Sequence, residues 1–171
     1  QFQCPAGKYG GTYGLSDMAC SGNCSAGYYC PPGSAATQQE HCNDPNFYCP
    51  EGTPTRQLVD KGYHAIHVAV PPLYREEKDL LNGQKGRRFE IVETPDTRYT
   101  TFSSQKICPL GSYCVLGVRY LCPAGRYGGT LGLKNQACSG NVSEGYFGPP
   151  GSISITEHEC GGADFFCPSG S

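Results

Sequence analysis

The stretch from Cys4 to Thr53 returns 118 residues later as Cys122 to Ser171, without a gap and with 27 of 50 positions identical. Self-similarity at a fixed period is the signature of an array whose units lean on their neighbours, and it favours a structural or binding role over catalysis. The match reaches back past the first cysteine, with Phe2 opposite Tyr120, so the chain is expected to be a segment of a longer array. No apolar run is long enough to span a bilayer, and residues 1 to 30 lack the basic and apolar regions of a signal peptide.

Glycine and proline (24 and 14 residues) make up about a fifth of the chain, and 37% hydrophobic content is low for one large core. Twelve cysteines offer another source of stability, because small units with little apolar burial are stapled by disulfides that persist only in an oxidising compartment. Each bridge closing a loop of about 15 residues contributes on the order of 3 kcal/mol. An extracellular or cell-surface location follows. A net charge of −2 gives no electrostatic reason to expect nucleic acid or an anionic membrane as a partner.

No cysteine lies between Cys49 and Cys108, and this interval carries most of the charge. The expected fold class is small and disulfide-rich, mostly β and irregular, with two homologous Cys-rich modules flanking a small antiparallel β insert. The divisions are 1–53 for the first module, 54–107 for the charged insert, 108–121 for a short disulfide-loop connector and 122–171 for the second module. In the insert, Tyr63 to Val70, Arg87 to Glu93 and Arg98 to Phe102 carry β-branched and aromatic residues in short runs, which predict three strands of one sheet. Leu73 to Asn82 has helix-forming composition before Gly83 and predicts one or two helical turns. In the modules, turn formers such as C-P-A-G at 4 and 122 and P-P-G-S at 31 and 149 leave room only for loops and two-residue bridges of sheet.

Comparing the copies gives a clue to cysteine pairing. Cys24 and Cys30 face Val142 and Gly148, whereas Cys4, Cys20, Cys42 and Cys49 all keep counterparts. Two cysteines lost together imply a bridge between them. The resulting template, two cysteines five or six residues apart with an aromatic just before the second, recurs at Cys42 to Cys49, Cys108 to Cys114 and Cys160 to Cys167. Cys4 with Cys20 and Cys122 with Cys138 would complete a nearest-neighbour scheme without a free thiol, although four cysteines in a unit allow three pairings and spacing does not exclude the others. Zinc is disfavoured: no C-x-x-C occurs, and Cys24 of the closest pair is lost in the second copy. No cofactor is expected.

The C-P-A-G-[KR]-Y-G start, with its next cysteine sixteen positions later, resembles the first loop of tumour-necrosis-factor-receptor-type repeats and, more closely, the ephrin-receptor-like Cys-rich repeats of large secreted or surface proteins. The run from Cys108 to Gly128 (CPLGSYCVLGVRYLCPAGRYG) resembles versions found in very long surface proteins of unicellular eukaryotes. The resemblance covers 4–53 and 108–171 and has no counterpart for the insert. It implies that the family's first local bridge maps onto Cys4–Cys20 and Cys122–Cys138.

Asn23-Cys24-Ser25 and Asn141-Val142-Ser143 are N-glycosylation acceptors at one repeat position, and survival of the motif when its middle residue changes favours N-linked glycans there. The paired prolines at 31–32, 71–72 and 149–150 read as rigid turns. His64 and His67 lie three apart, which on a strand points them to opposite faces and makes them a poor metal or base pair. There is no G-x-S-x-G, P-loop, H-E-x-x-H or glycine fingerprint, so the chain is not expected to be an enzyme. Its expected role is that of a structural repeat segment in a glycosylated surface fibre or flagellar-hair-like appendage. Disulfides and contacts with neighbouring copies would hold it together, with Ile66, Val68, Phe89 and Ile91 buried between copies. The alternative is a receptor or adhesion ectodomain that binds a protein or glycan through the insert.

Overall fold

The computed structural model describes residues 3–68, 74–76, 89–91, 101–162 and 165–171, with backbone alone considered at 74–76 and 89–91. Among these residues there is no helix, and the strands form eight separate antiparallel pairs. Along the chain they are β1 (Lys8–Tyr9) with β2 (Gly22–Asn23), β3 (Tyr28–Tyr29) with β4 (Glu40–His41), and β5 (Phe47–Tyr48) with β6 (Gln57–Leu58). In the insert, β7 (Tyr63–His67) pairs with β10 (Phe102–Ile107), and β8 (Tyr74–Glu76) pairs with β9 (Phe89–Ile91). The rest are β11 (Ser112–Val115) with β12 (Val118–Leu121), β13 (Arg126–Tyr127) with β14 (Gly140–Asn141), and β15 (Tyr146–Phe147) with β16 (His158–Glu159). The fold is small, strand-rich and cross-linked by six disulfides.

The local reason for so many short pairs lies in the turn that opens each. Pro5, Ser25, Asp44, Asp60, Pro109, Pro123 and Ser143 each accept a hydrogen bond from the amide three residues on, where the first strand of a pair begins. These residue types either preset φ or bond locally to backbone, and both effects favour turns. Pro31, Pro50, Pro149 and Pro168 nucleate a second set, and Ser34, Ser152 and Ser171 close three of them by donating both amide and hydroxyl to the proline carbonyl. Turns this frequent leave strands of two residues. Longer strands occur in β7–β10, in β8–β9 and in β11–β12, whose strands of four residues are joined by Leu116-Gly117, both at positive φ (51° and 74°), a backbone twist that matches paired strands.

Burial is concentrated on sulfur. Cys24, Cys30, Cys42, Cys49, Cys108 and Cys122 are fully buried, and among the described residues a hydrophobic cluster forms from Val59, Ala65 and Phe102 with Tyr48 and Tyr63 packed against it. The bridges are Cys4–Cys20, Cys24–Cys30, Cys42–Cys49, Cys108–Cys114, Cys122–Cys138 and Cys160–Cys167, the nearest-neighbour set, with no free thiol. Val142 occupies the site of the absent bridge in the second copy and is itself fully buried. A Cβ on Gly148 would stand 2.7 Å from a Val142 methyl, so the valine fills the space that sulfur fills in the first copy.

The insert departs from the single three-stranded sheet that its composition predicts. β7 lies within the first predicted run and β9 within the second, but they belong to different pairs. The partner of β7 is Phe102–Ile107, which overlaps the third predicted run only at Phe102; residues 98–100 lie outside the described residues. Burial of Phe102 in the hydrophobic cluster accounts for the choice, since it anchors a polar Ser-Ser-Gln-Lys continuation that shows no β signal of its own. The predicted helical turns over 73–82 are corrected at Tyr74–Glu76, which form a strand; 73 and 77–82 lie outside the described residues. A run of that length is marginal as an isolated helix, so strand pairing overrides its propensity.

Candidate assembly site

A recurring backbone hydrogen-bond frame joins each hairpin to the next. In its first element, the turn glycine donates forward: Gly7 to the Cys30 carbonyl, Gly27 to Cys49, Gly125 to Gly148 and Gly145 to Cys167, each at 2.8 Å. The same glycines, and Gly111 with them, accept from the residue that starts the following unit, as Cys24 donates to Gly7, Cys42 to Gly27, Cys122 to Gly111, Val142 to Gly125 and Cys160 to Gly145. A third element runs from a later glycine back to a unit start: Gly33 to Cys4, Gly52 to Cys24, Gly132 to Cys108, Gly151 to Cys122 and Gly170 to Val142. Backbones this close require glycine. A Cβ on Gly7 would sit 2.2 Å from the Gly52 carbonyl oxygen, and one on Gly125 would sit 2.1 Å from that of Gly170. The contacts that the repeat reuses are thus main-chain contacts, which explains why sequence can drift by half between copies while spacing does not.

The best-formed contact of this kind lies where residues 107–115 meet the start of the second copy. Gly111 donates to the Gly128 carbonyl at 2.8 Å, Gly132 donates to the Cys108 carbonyl at 2.8 Å, and Cys114 donates to the Leu133 carbonyl at 2.9 Å. Tyr113 and Leu133 form a parallel bridge, and the Ile107 side chain lies 3.4 Å from the Cβ position of Gly132. Ser112 is fully buried and accepts from Arg119 Nε at 3.1 Å.

The equivalent face of the first copy is open among the described residues. Cys4, Gly10, Gly14 and Leu15 are each more exposed than Cys122, Gly128, Gly132 and Leu133. Tyr13 and Met18 are exposed at 107% and 74%, and nothing lies within 4 Å of the Cβ position of Gly14. Gln3, Cys4, Leu15, Ser16, Asp17, Met18 and Cys20 line a cleft of about 410 Å³ on this face. A similar difference marks the other end. Cys42 and Cys49 are sealed by Phe102, whose amide donates to the Cys42 carbonyl and whose carbonyl accepts from the Cys49 amide, whereas Cys160 and Cys167 are half-buried and Phe165 and Phe166 are exposed at 72% and 88%. These end faces escaped sequence reasoning. The available signal was a large apolar residue kept at both 13/131 and 15/133 inside a turn-rich loop.

Of the residues expected to be buried between copies, Val68 is used within the chain. Its methyl covers Gly27, where a Cβ would meet it at 2.4 Å, and its amide donates to Thr101 at 2.9 Å. Ile66 is half-buried on β7 opposite Ser104. Phe89 and Ile91 are in β9, and their side chains lie outside the described residues. Asn23 and Asn141 are both exposed at the ends of β2 and β14, opposite Lys8 and Arg126. The Asn23 amide donates to Glu51 at 3.4 Å.

His64 and His67 have separate surroundings. His64 is half-buried, 3.9 Å from the Cys114 sulfur, and its pKa is lowered first by burial and then by the positive charges of Arg119 and Lys106. The His67 ring lies tilted against Phe102, with centroids 4.4 Å apart. Other aromatics pair across hairpins: Tyr28 with His41, Tyr113 with Tyr120 and Phe147 with His158, at 4.9–5.4 Å. Each aromatic is thereby engaged with its own hairpin. Among the described residues no group of three or more His, Cys, Asp or Glu could hold a metal ion, and no helix is long and apolar enough to cross a membrane. No protein-family model, curated protein or solved structure matches the chain.

Proposed function

We propose that this chain is a structural repeat segment of an extracellular, glycosylated surface fibre or appendage, built as two homologous Cys-rich modules around the 54–107 insert. The observation that carries the reading is the hydrogen-bond frame reused from hairpin to hairpin. Such a frame propagates along a chain by nearest-neighbour contact, the organisation expected of an array and of no particular reaction. Six bridges fit an oxidising, extracellular setting. N-linked glycans at Asn23 and Asn141 would recur at one position per period, on exposed residues at the ends of β2 and β14. Packing between copies would use Ile66, Val68, Phe89 and Ile91, of which Ile66 and Val68 are half-buried.

Labelling intact source cells with a membrane-impermeant amine reagent tests the reading. The chain should be labelled without permeabilisation and should pellet with high-molecular-weight material after non-reducing extraction. Labelling only after permeabilisation, or recovery solely as a monomer, contradicts it.

A further inference from the structure

The open face at Tyr13 to Met18 has an internal counterpart whose occupant is known, and that identifies what it fits. At Leu131 to Leu133 the occupant is residues 107–115, a disulfide-closed loop that contributes Ile107 over Gly132, the Cys108 carbonyl to the Gly132 amide and the Cys114 amide to the Leu133 carbonyl. The first copy keeps every group needed to receive the same loop. Gly14 stands for Gly132 at nearly the same φ (78° against 73°), Leu15 stands for Leu133, and Gly10 stands for Gly128. Cys4, half-exposed here, corresponds to Cys122, which that loop helps to bury completely. The receiving groups are backbone donors and acceptors, Gly14 keeps the φ of Gly132, and Gly10 keeps the bond to Ser34 that Gly128 makes to Ser152, so the face selects a partner by main-chain shape and one aliphatic contact.

Resting on the array reading above, we propose that the face formed by Gly10, Gly14, Leu15 and Met18 is a docking site for a C-P-x-G-[polar]-Y-C loop of the 107–115 type, supplied by another period of the array. The Gly14 amide donates to the carbonyl of the incoming loop's first cysteine, and the Leu15 carbonyl accepts from the amide of its second. Tyr13 and Met18 rim the contact.

Fusing a copy of residues 107–118 directly before Gln1 of the intact, oxidised chain tests this, because Gln1, Phe2 and Gln3 then stand in the phase of Arg119, Tyr120 and Leu121. Hydrogen exchange should slow at the Gly14 amide by at least about tenfold, towards the rate at Gly132, while Gly132 itself is unchanged. With peptide mapping showing the added bridge closed, a Gly14 amide that exchanges as fast as in the 171-residue chain overturns the proposal. Should the added loop fail to oxidise, a synthetic, disulfide-closed peptide of residues 101–121 replaces it. Amide shifts confined to Gly10, Gly14 and Leu15 then support the site, and their absence at millimolar peptide overturns it. Protection of Gly14 in the unextended chain at high concentration would assign the face to a second copy instead and also overturn the loop. A protected Gly14 in material that never polymerises keeps the docking site and removes the fibre, so the two readings fail separately.

Discussion

Replacing Cys24 by Val and Cys30 by Gly grafts onto the first copy the pair that stands at 142 and 148. The bridge lost spans a separation of 6 residues, and releasing so short a loop costs about 2.4 kcal/mol of unfolded-state entropy. Val142 shows what the graft restores: a fully buried side chain whose methyl comes within 2.7 Å of where a Cβ at 148 would be. The double change Cys24→Ala with Cys30→Gly loses the same entropy and also lacks two buried carbons, worth about 1.6 kcal/mol. Both variants carry glycine at position 30, so its freer unfolded chain cancels between them. The Val/Gly pair should therefore exceed the Ala/Gly pair by about 1.6 kcal/mol, which is about 0.8 M in a urea midpoint at an m-value of about 2 kcal/mol/M. Cys24→Val with Cys30→Ala should be worse than Val/Gly, because the added Cβ overpacks the site by about 1–3 kcal/mol. Urea unfolding of the three oxidised double variants, followed by tyrosine fluorescence, reads all of this. A Val/Gly protein no more stable than Ala/Gly would refute the claim that valine replaces the bridge by filling its volume.

Gly117 sits at φ 74° with a virtual Cβ only 1.6 Å from the Pro45 carbonyl oxygen, whereas Gly14 has a similar φ and open space. Gly117→Ala should cost well over about 2 kcal/mol, and Gly14→Ala only the left-handed backbone strain of about 1–2 kcal/mol; equal urea midpoints would contradict the contact. The lowered pKa of His64 sets a pH dependence. The unfolded chain binds the proton first, so stability holds above about pH 6.5 and falls as pH drops from there to the folded value. His64→Gln should flatten that slope in thermal melts between pH 7 and 5, and an unchanged slope would remove His64 as its source. Intact-mass measurement of native material before and after an N-glycosidase should show the sugar on Asn141; an unmodified Asn141 would count against the glycosylated coat.

The turn framework was legible in the sequence because it is written in residues with one dominant backbone use. C-P-x-G and P-P-G-S set a turn wherever they occur, and the joint replacement of Cys24 and Cys30 by Val142 and Gly148 pointed to the bridge that the structure contains. The strand Phe102–Ile107 was not legible past its first residue. Ser103 to Lys106 carry no β preference, and their pairing with β7 is imposed by the burial of Phe102. Residues 74–76 misled in the opposite way, since helix-forming composition says nothing about a partner strand fifteen residues on. The end faces were hidden for a different reason. Tyr13, Leu15 and Met18 resemble ordinary loop residues until the geometry of their counterparts at Leu131 to Leu133 shows what such a loop is for.

Electron microscopy of native surface material, with gold-labelled antibody against residues 4–53, measures the central claim most directly. The account predicts label at a regular axial interval along filaments or appendages, because each period of the array presents the same face once. Label on isolated particles, or scattered singly over the cell membrane without an axial repeat, would contradict it.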